Sequence, residues 1–480
     1  MKASYRNTRP LQSSPLLAAV AAVVVGGIVG SGAAFGPLYA AAGVFALAVA
    51  YALLTSTIVG VMLAFAIITL LPFGTLPFKT IITPNLLTLA LGGLLMVWGL
   101  RMLARSDTYE LRLTPLGLPI LGFLGFTLFS LIRGAHGVPD PRTLHNYVKF
   151  ILGVLFFFSV VNSVRNRKQA RVVLRGLMLC GGLAALVGIV LTTLPDETAL
   201  RLLVRLGPIG YPTIGRVLRY VEDNPDGMER VIGLSVDPNG FGGMLALVIA
   251  LSVAQLFAAR PLLRRDLLAG LVGSMGVALL FTFSRAALFG IIAVALYLAT
   301  IRYRRLWWAM LAMGVLAAGL LLGLGLAEDF TRRLSEGVQF QDQAQQMRLA
   351  EFQNAWNIIK RYPLTGIGFG QAPEIDLVAG VSSIYLTIAE RMGLIGLAIF
   401  LAIVAAWLIH SWLAAQQLDE ERAAWLLGTQ SGIIAALTVG LADHYFFNIE
   451  FSHMVALFWG TMGLGMAIIA LPEQTTPPND

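Results

Sequence analysis

Long apolar runs alternate with short basic segments and a few longer mixed polar ones along all 480 residues. An α-helix rises about 1.5 Å per residue, so a run of about 17–25 apolar residues crosses one bilayer. The pattern predicts about fourteen spans, within a range of about 12–14. The first three are close-set, at about 15–33, 36–54 and 56–73, followed by a loop broken by Pro72, Pro77 and Pro84. Others are expected at about 85–103, 114–132, 147–164, 172–193 and 240–258, then at 306–326, 384–409, 424–441 and 453–471.

The run from Leu267 to Ile301 holds a single full charge near its middle. This is Arg285, within Phe281-Thr282-Phe283-Ser284-Arg285-Ala286-Ala287-Leu288. About 18 apolar or neutral residues precede it and about 16 follow, so the run reads as a helical hairpin turning at Arg285. That arginine carries two readings of equal weight: a functional charge at the membrane, or a snorkelling anchor for a turn.

Charge sets the topology. Arg165-Asn166-Arg167-Lys168-Gln169-Ala170-Arg171 has four positives and no acid, which marks a cytoplasmic loop. With both termini inside, every short basic loop falls on the cytoplasmic side. The outer side then collects the turn at Arg285, residues 134–146 and 442–452, and two long loops, 194–239 and 328–383. Lys2, Arg6 and Arg9 before the first run resemble a signal peptide, but a second run follows at once and the topology works with an uncleaved span. The polar tail 472–480 is expected to be disordered.

Composition narrows the class. At 57% hydrophobic, 12% charged and a mean hydropathy of +0.78, the chain is no ordinary soluble globule. Its runs are too long and continuous for a β-barrel. The expectation is an all-α polytopic protein with one integral membrane domain, 1–480. The net charge of +8 lies in inter-helix loops, where the positive-inside bias and anionic headgroups account for it, so no nucleic-acid partner is expected. Cys180 is the one cysteine, and no intrachain disulfide can form.

The polar investment is outside. The first long loop carries Arg201, Arg205, Arg216, Arg219, Glu222, Asp223, Asp226, Glu229 and Arg230. It ends in Asp237-Pro238-Asn239-Gly240, a turn whose Asp237 or Asn239 can cap the next helix or hold a substrate at its mouth. In the second long loop, Gln343 to Lys360 reads as a surface helix with Leu349, Phe352, Trp356 and Ile359 on its apolar face and Arg348 near its start. The last outer loop holds Asp443 and His444, an acid–histidine pair suited to general-base chemistry, and His453, read as part of an interfacial belt. Metal spacing, a P-loop, a dinucleotide fingerprint and a nucleophile elbow are all missing. Arginines above a membrane bundle suit phosphate oxygens, such as a diphosphate on a lipid carrier.

Four pieces carry a resemblance. They are Asp237-Pro238-Asn239 opening a span, the Ser284-Arg285 turn, Arg348…Trp356…Pro363-Leu364-Thr365-Gly366-Ile367-Gly368, and Tyr385-Leu386…Glu390…Gly393-Leu394-Ile395-Gly396-Leu397. In order and spacing, over roughly residues 231–400, they resemble the O-antigen ligase and O-antigen polymerase superfamily of bacterial membrane glycosyltransferases. The resemblance implies a GT-C-like all-helical fold in the plasma (inner) membrane, no metal and no cofactor. It implies a polyprenyl-diphosphate-linked glycan donor and a glycan or lipid acceptor, used at the outer face. Arg285 and Arg348 would hold the diphosphate, with Arg219 and Arg230 as further binders. Where ligases usually carry His-Asn before the Tyr-Leu, this chain has Ser382-Ser383. That favours a polymerase or another transferase, and moves the expected base to His444 with Asp443. The competing readings are a transporter or flippase of a lipid-linked glycan or small anion, and a non-catalytic scaffold for envelope assembly. The nearly uncharged span interiors and the missing internal repeat weigh against the first.

Overall fold

The computed structural model describes residues 26–27, 43–44, 47, 51–76, 85–104, 111–135, 139–308, 310–311, 315, 343–370 and 380–473. The chain divides into two compact units, 1–60 and 61–480. In the first, the described residues are helical except Ser56. Among the described residues, regular structure is helical, with two isolated bridges, Thr75 to Asn85 and Tyr220 to Glu229.

The helices in chain order are α1 (Thr57–Leu70), α2 (Leu86–Ala104), α3 (Gly117–Gly134), α4 (Pro141–Ser163), α5 (Arg167–Thr193), α6 (Asp196–Val204) and α7 (Pro238–Leu256). Then come α8 (Arg265–Phe281), α9 (Arg285–Ile301), α10 (Gln343–Arg361), α11 (Ile384–Ala415), α12 (Glu420–Val439) and α13 (Ser452–Ile469). Among the described residues, seven helices (α2, α3, α4, α5, α7, α11 and α13) are long and apolar enough to cross a membrane, and α1 and α9 are shorter apolar helices. The chain is a polytopic helical membrane protein. Most of the first two expected spans and of that at 306–326 lies outside the described residues, as do 328–342, 371–379 and 474–480.

Caps set where the helices start. Asp140 Oδ1 accepts from the backbone N–H groups of Arg142 and Thr143, at 3.0 Å each, with Pro141 in the first helical position. Helix α4 therefore begins ahead of the expected residue 147, and His145 lies in its second turn instead of in a loop. Asn166 caps α5 and Asp419 caps α12 in the same way.

The core is built around α13 and α7, whose apolar stretches are 94% and 83% buried. Helix α4 packs along α13, and α12 along α7. Glycines let the backbones approach: a Cβ on Gly463 would lie 2.7 Å from the Phe157 carbonyl oxygen, and one on Gly432 would lie 3.3 Å from that of Leu247. Phe123, Phe150, Phe400, Phe447 and Trp459 stack edge-on or tilted, with Phe369 of the second long loop among them. This aromatic cluster ties that loop to the bundle.

Helices α8 and α9 meet at Thr282–Ser284, so the break falls beside Arg285. They do not form a closed hairpin: both pack on α7 more than on each other, and α9 also packs on α12. At the opposite end of the bundle, Arg167 and Arg171 pair with Asp419 and Glu421 at 2.7 and 2.8 Å.

Candidate functional site

The site is built at the mouth of α7. Asp237 Oδ1 accepts from the N–H groups of Asn239 and Gly240, at 2.9 Å each, and so caps the helix. Asn239 is not the cap. Its Oδ1 accepts at 2.7 Å from Nη2 of Arg230, whose Nε donates to the Thr282 carbonyl at 2.8 Å. Arg230 thus joins the first long loop, the start of α7 and the α8–α9 turn. A second bond, Val231 N–H to the Phe281 carbonyl at 2.9 Å, runs beside it. Gly242 makes the contact close, because a Cβ there would lie 3.0 Å from both Ser284 Cβ and Thr282 Oγ1.

The turn itself is strained and specific. Phe283 has φ +52, and Val236, just before the cap of α7, has φ +63. Left-handed backbone at a β-branched or bulky residue is costly and concentrates at functional sites. Ser284 then caps α9, and Arg285 follows as its first residue, with an exposed side chain. Arg285 is tied to the cluster through the Arg230–Thr282 bond.

Asp443, just past α12, is 3% exposed, with Arg348 Nη2 at 3.8 Å from Oδ1. Among the described residues its Oδ2 has no hydrogen-bond partner. Burial pushes the Asp443 carboxyl up to about 7. Arg348 and Arg230 oppose that rise, and the Asp237 and Glu351 carboxylates reinforce it. Tyr445 bonds Asp237 and Asn239 through its hydroxyl, and burial, with the Asp237 and Asp443 carboxylates nearby, holds it well above the ordinary phenol range. His444 is held below the usual histidine range by burial, while a ring N–H donates to the Val381 carbonyl.

The second long loop closes the cluster. On α10, Arg348 and Glu351 lie one turn apart. Glu351 Oε2 accepts from both the N–H and the hydroxyl of Ser382, at 3.0 and 2.7 Å. Residues 382–384 are in turn bonded to the end of α12, Ile384 N–H to the Gly440 carbonyl at 2.9 Å. Ala355, Ile358 and Ile359 of α10 are buried, with Arg348, Glu351 and Phe352 half-buried beside them; of the expected apolar face, Trp356 and Leu349 stay exposed at 55% and 39%.

The structure therefore brings Arg230, Asp237, Asn239, Arg348 and Asp443 together, with His444 beside them and Arg285 at the adjoining turn. Arg219 acts on Arg230 electrostatically, and among the described residues its Nε has no partner. His453 stands apart. It is buried in α13 with its ring 5.0 Å from that of Phe73, so it packs in the bundle, not in an exposed belt. Sequence reasoning missed Glu351, Ser382, Tyr445 and Thr282. The signal for Glu351 was its spacing of three from Arg348 on a helix. Among the described residues no three His, Cys, Asp or Glu side chains gather as metal ligands.

Residues 270–401 match the family model described as O-Antigen ligase, which bears out the resemblance to that superfamily. No curated protein matches the chain. The matched segment supplies Arg285, Arg348, Glu351 and Ser382. Arg230, Asp237, Asn239, Asp443 and His444 come from outside it.

Proposed function

We propose that this membrane protein, which carries an O-antigen ligase segment at residues 270–401, transfers a glycan from a polyprenyl diphosphate to a glycan or lipid acceptor at the outer membrane face. The observation that carries the reading is the convergence of Arg230 and Arg348 on a buried carboxylate, Asp443, one oxygen of which has no hydrogen-bond partner among the described residues. Arg285 and Arg348, with Arg230 and Arg219 behind them, pair with the diphosphate oxygens and stabilise charge on the leaving group. Asp443 takes the proton of an acceptor hydroxyl. The hydroxyl oxygen bonds to the anomeric carbon, and the bond from that carbon to the diphosphate oxygen breaks. His444 commits one ring N–H to Val381 and stays neutral beside it. Ser382, where ligases have histidine, directs this reading toward a polymerase. It binds Glu351 and holds α10, and hence Arg348, in place.

A transporter reading would use the break in α11 at Gly393, where Glu390 is buried and Arg391 half-buried in a membrane helix. Those side chains hold loop backbone, Glu390 Oε1 accepting from the Gly380 N–H and Arg391 donating to the Gly368 and Gly370 carbonyls, while Glu390 Oε2 has no hydrogen-bond partner among the described residues. The test is purified protein in nanodiscs with a polyprenyl-diphosphate-linked glycan and no nucleotide. Longer or transferred glycan is expected, and Arg285→Ala should abolish it while the protein still inserts. Normal product from that variant would overturn the assignment.

A further inference from the structure

The first long loop folds into a small body of its own beside the site. Helix α6 packs on it through Leu203, which forms a core with Val217 and Ile232. On its surface lies a cavity of about 270 Å³, lined by Leu200, Arg216, Tyr220 and Asp223 among others. Nothing assigned above uses it.

Three features give the cavity a chemistry. The Tyr220 hydroxyl donates to Asp196 at 2.7 Å, which fixes the ring as one wall. Arg216 and Asp223 pair at 2.6 Å, placing a donor fork and an acceptor pair at the mouth with no net charge. Glu222 and Asp223 both hold left-handed backbone, at φ 57 and 55. They are the central pair of a turn closed by the Asn224 N–H on the Val221 carbonyl at 3.2 Å, which sets Asp223 at the mouth. An aromatic wall, paired donors and acceptors and zero net charge suit the apolar face and hydroxyls of a sugar ring better than a phosphate.

The cavity is also aimed. Arg219, Tyr220 and Val221 pair with Met228, Glu229 and Arg230 through Val221 N–H to the Met228 carbonyl at 2.9 Å and Arg230 N–H to the Arg219 carbonyl at 2.7 Å. Side chains alternate along such a ladder. Tyr220 therefore faces the cavity while its neighbour Arg219, with Arg230 across the ladder, serves the arginine cluster.

We infer that this cavity is a glycan subsite, binding one or two sugar rings of the chain being transferred or extended, next to the arginines that take the diphosphate. The inference rests on the glycan-transfer reading, but its test does not need turnover. The probe is oligosaccharide released by mild acid from the surface polysaccharide of the producing cells, free of lipid and diphosphate. Binding to the full chain in nanodiscs is read by saturation-transfer NMR. Saturable binding is expected, weakened at least tenfold by Leu200→Trp, which fills the cavity from an exposed position on α6, and by Arg216→Ala. Arg348→Ala should bind as the wild type does. Melting temperature and elution volume verify that each variant is folded. No saturable binding, or binding untouched by both cavity variants, overturns the subsite. If the oligosaccharide binds and Leu200→Trp removes it, while the lipid-linked donor is never consumed, the subsite stands and the transfer reading falls.

Discussion

Asp443→Asn separates a proton-accepting carboxylate from a merely structural one. The substitution keeps the shape and removes the charge. In the folded protein the carboxyl is raised from the ordinary 3.8 to about 7, chiefly by burial. At about 1.4 kcal/mol for each tenfold, holding it ionised costs about 4 kcal/mol. The folded form binds the proton more tightly than the unfolded chain, so stability is greatest below about pH 4 and falls as pH rises toward 7. Above that the cost is constant. Asp443→Asn escapes it, so its melting temperature should match the wild type at pH 4 and exceed it at pH 8. Activity should move the other way. Wild-type kcat/KM should rise with pH through about 7 as the base loses its proton, and the variant should lose that limb together with about 10²–10⁴-fold in rate. The assay is glycan transfer from a lipid-linked donor in nanodiscs between pH 5 and 9, beside thermal melts of the same samples. A variant that keeps wild-type turnover and the same acid limb would refute the reasoning. So would one that is less stable than the wild type at pH 8.

Other substitutions test the frame around that carboxylate. Arg230→Ala removes the bonds to the Thr282 carbonyl and Asn239; charged hydrogen bonds of this kind make the loss about 3 kcal/mol in a melt, with activity falling as well. Ser382→Ala takes away one of the two donors to Glu351; about 1.5 kcal/mol, or roughly a tenfold drop in transfer, is expected, and Ser382→Thr should recover most of it. Gly393→Ala forces a side chain onto φ 68, ψ −174 and into the Leu364 backbone; a loss of about 4 kcal/mol, read as a lower yield of monodisperse protein and a lower melting temperature, should follow.

The hydrophobic pattern made most of the bundle legible because membrane helices must satisfy their backbone internally, and apolar length is a direct readout of that demand. The break beside Arg285 was visible for the same reason: one charge between two span-length runs leaves few other places to turn. The cap at Asp237 was legible, being local, whereas Asp140 and Asn166 were read as loop because the helices they start open with polar turns before their apolar runs. What stayed hidden depends on distant partners. Glu351 meets Ser382 across 31 residues, and nothing local in either announces it. The expected apolar face of α10 divides, Ile359 packing inward while Leu349 and Trp356 stay exposed, because burial is shared with the face carrying Arg348 and Glu351. Gly393 lies in an apolar run that reads as one helix, and its positive φ answers to a loop, not to its neighbours.

That loop explains how charged residues on long connections can be placed precisely enough to act together. Helix α11 is interrupted at Gly393, which frees backbone groups that a continuous helix would have used itself. The second long loop takes them up. Ile367 N–H donates to the Glu390 carbonyl at 2.9 Å, Gly368 N–H to the Arg391 carbonyl at 2.8 Å, and Leu394 N–H to the Pro363 carbonyl at 2.7 Å. Arg391 returns the contact from its side chain, and the Ser130 hydroxyl of α3 fastens the Arg391 carbonyl at 2.8 Å. The segment 363–370 is therefore mounted on α11 through main-chain bonds, and α3 steadies that mount through the Ser130 hydroxyl. It directly follows α10, so the mount fixes one end of the helix that carries Arg348 and Glu351, and Ser382 fixes its middle. A reaction that needs arginine forks and a carboxylate set to within fractions of an ångström requires such anchoring. A broken helix near the end of a span supplies it without placing an unpaired charge in the bilayer.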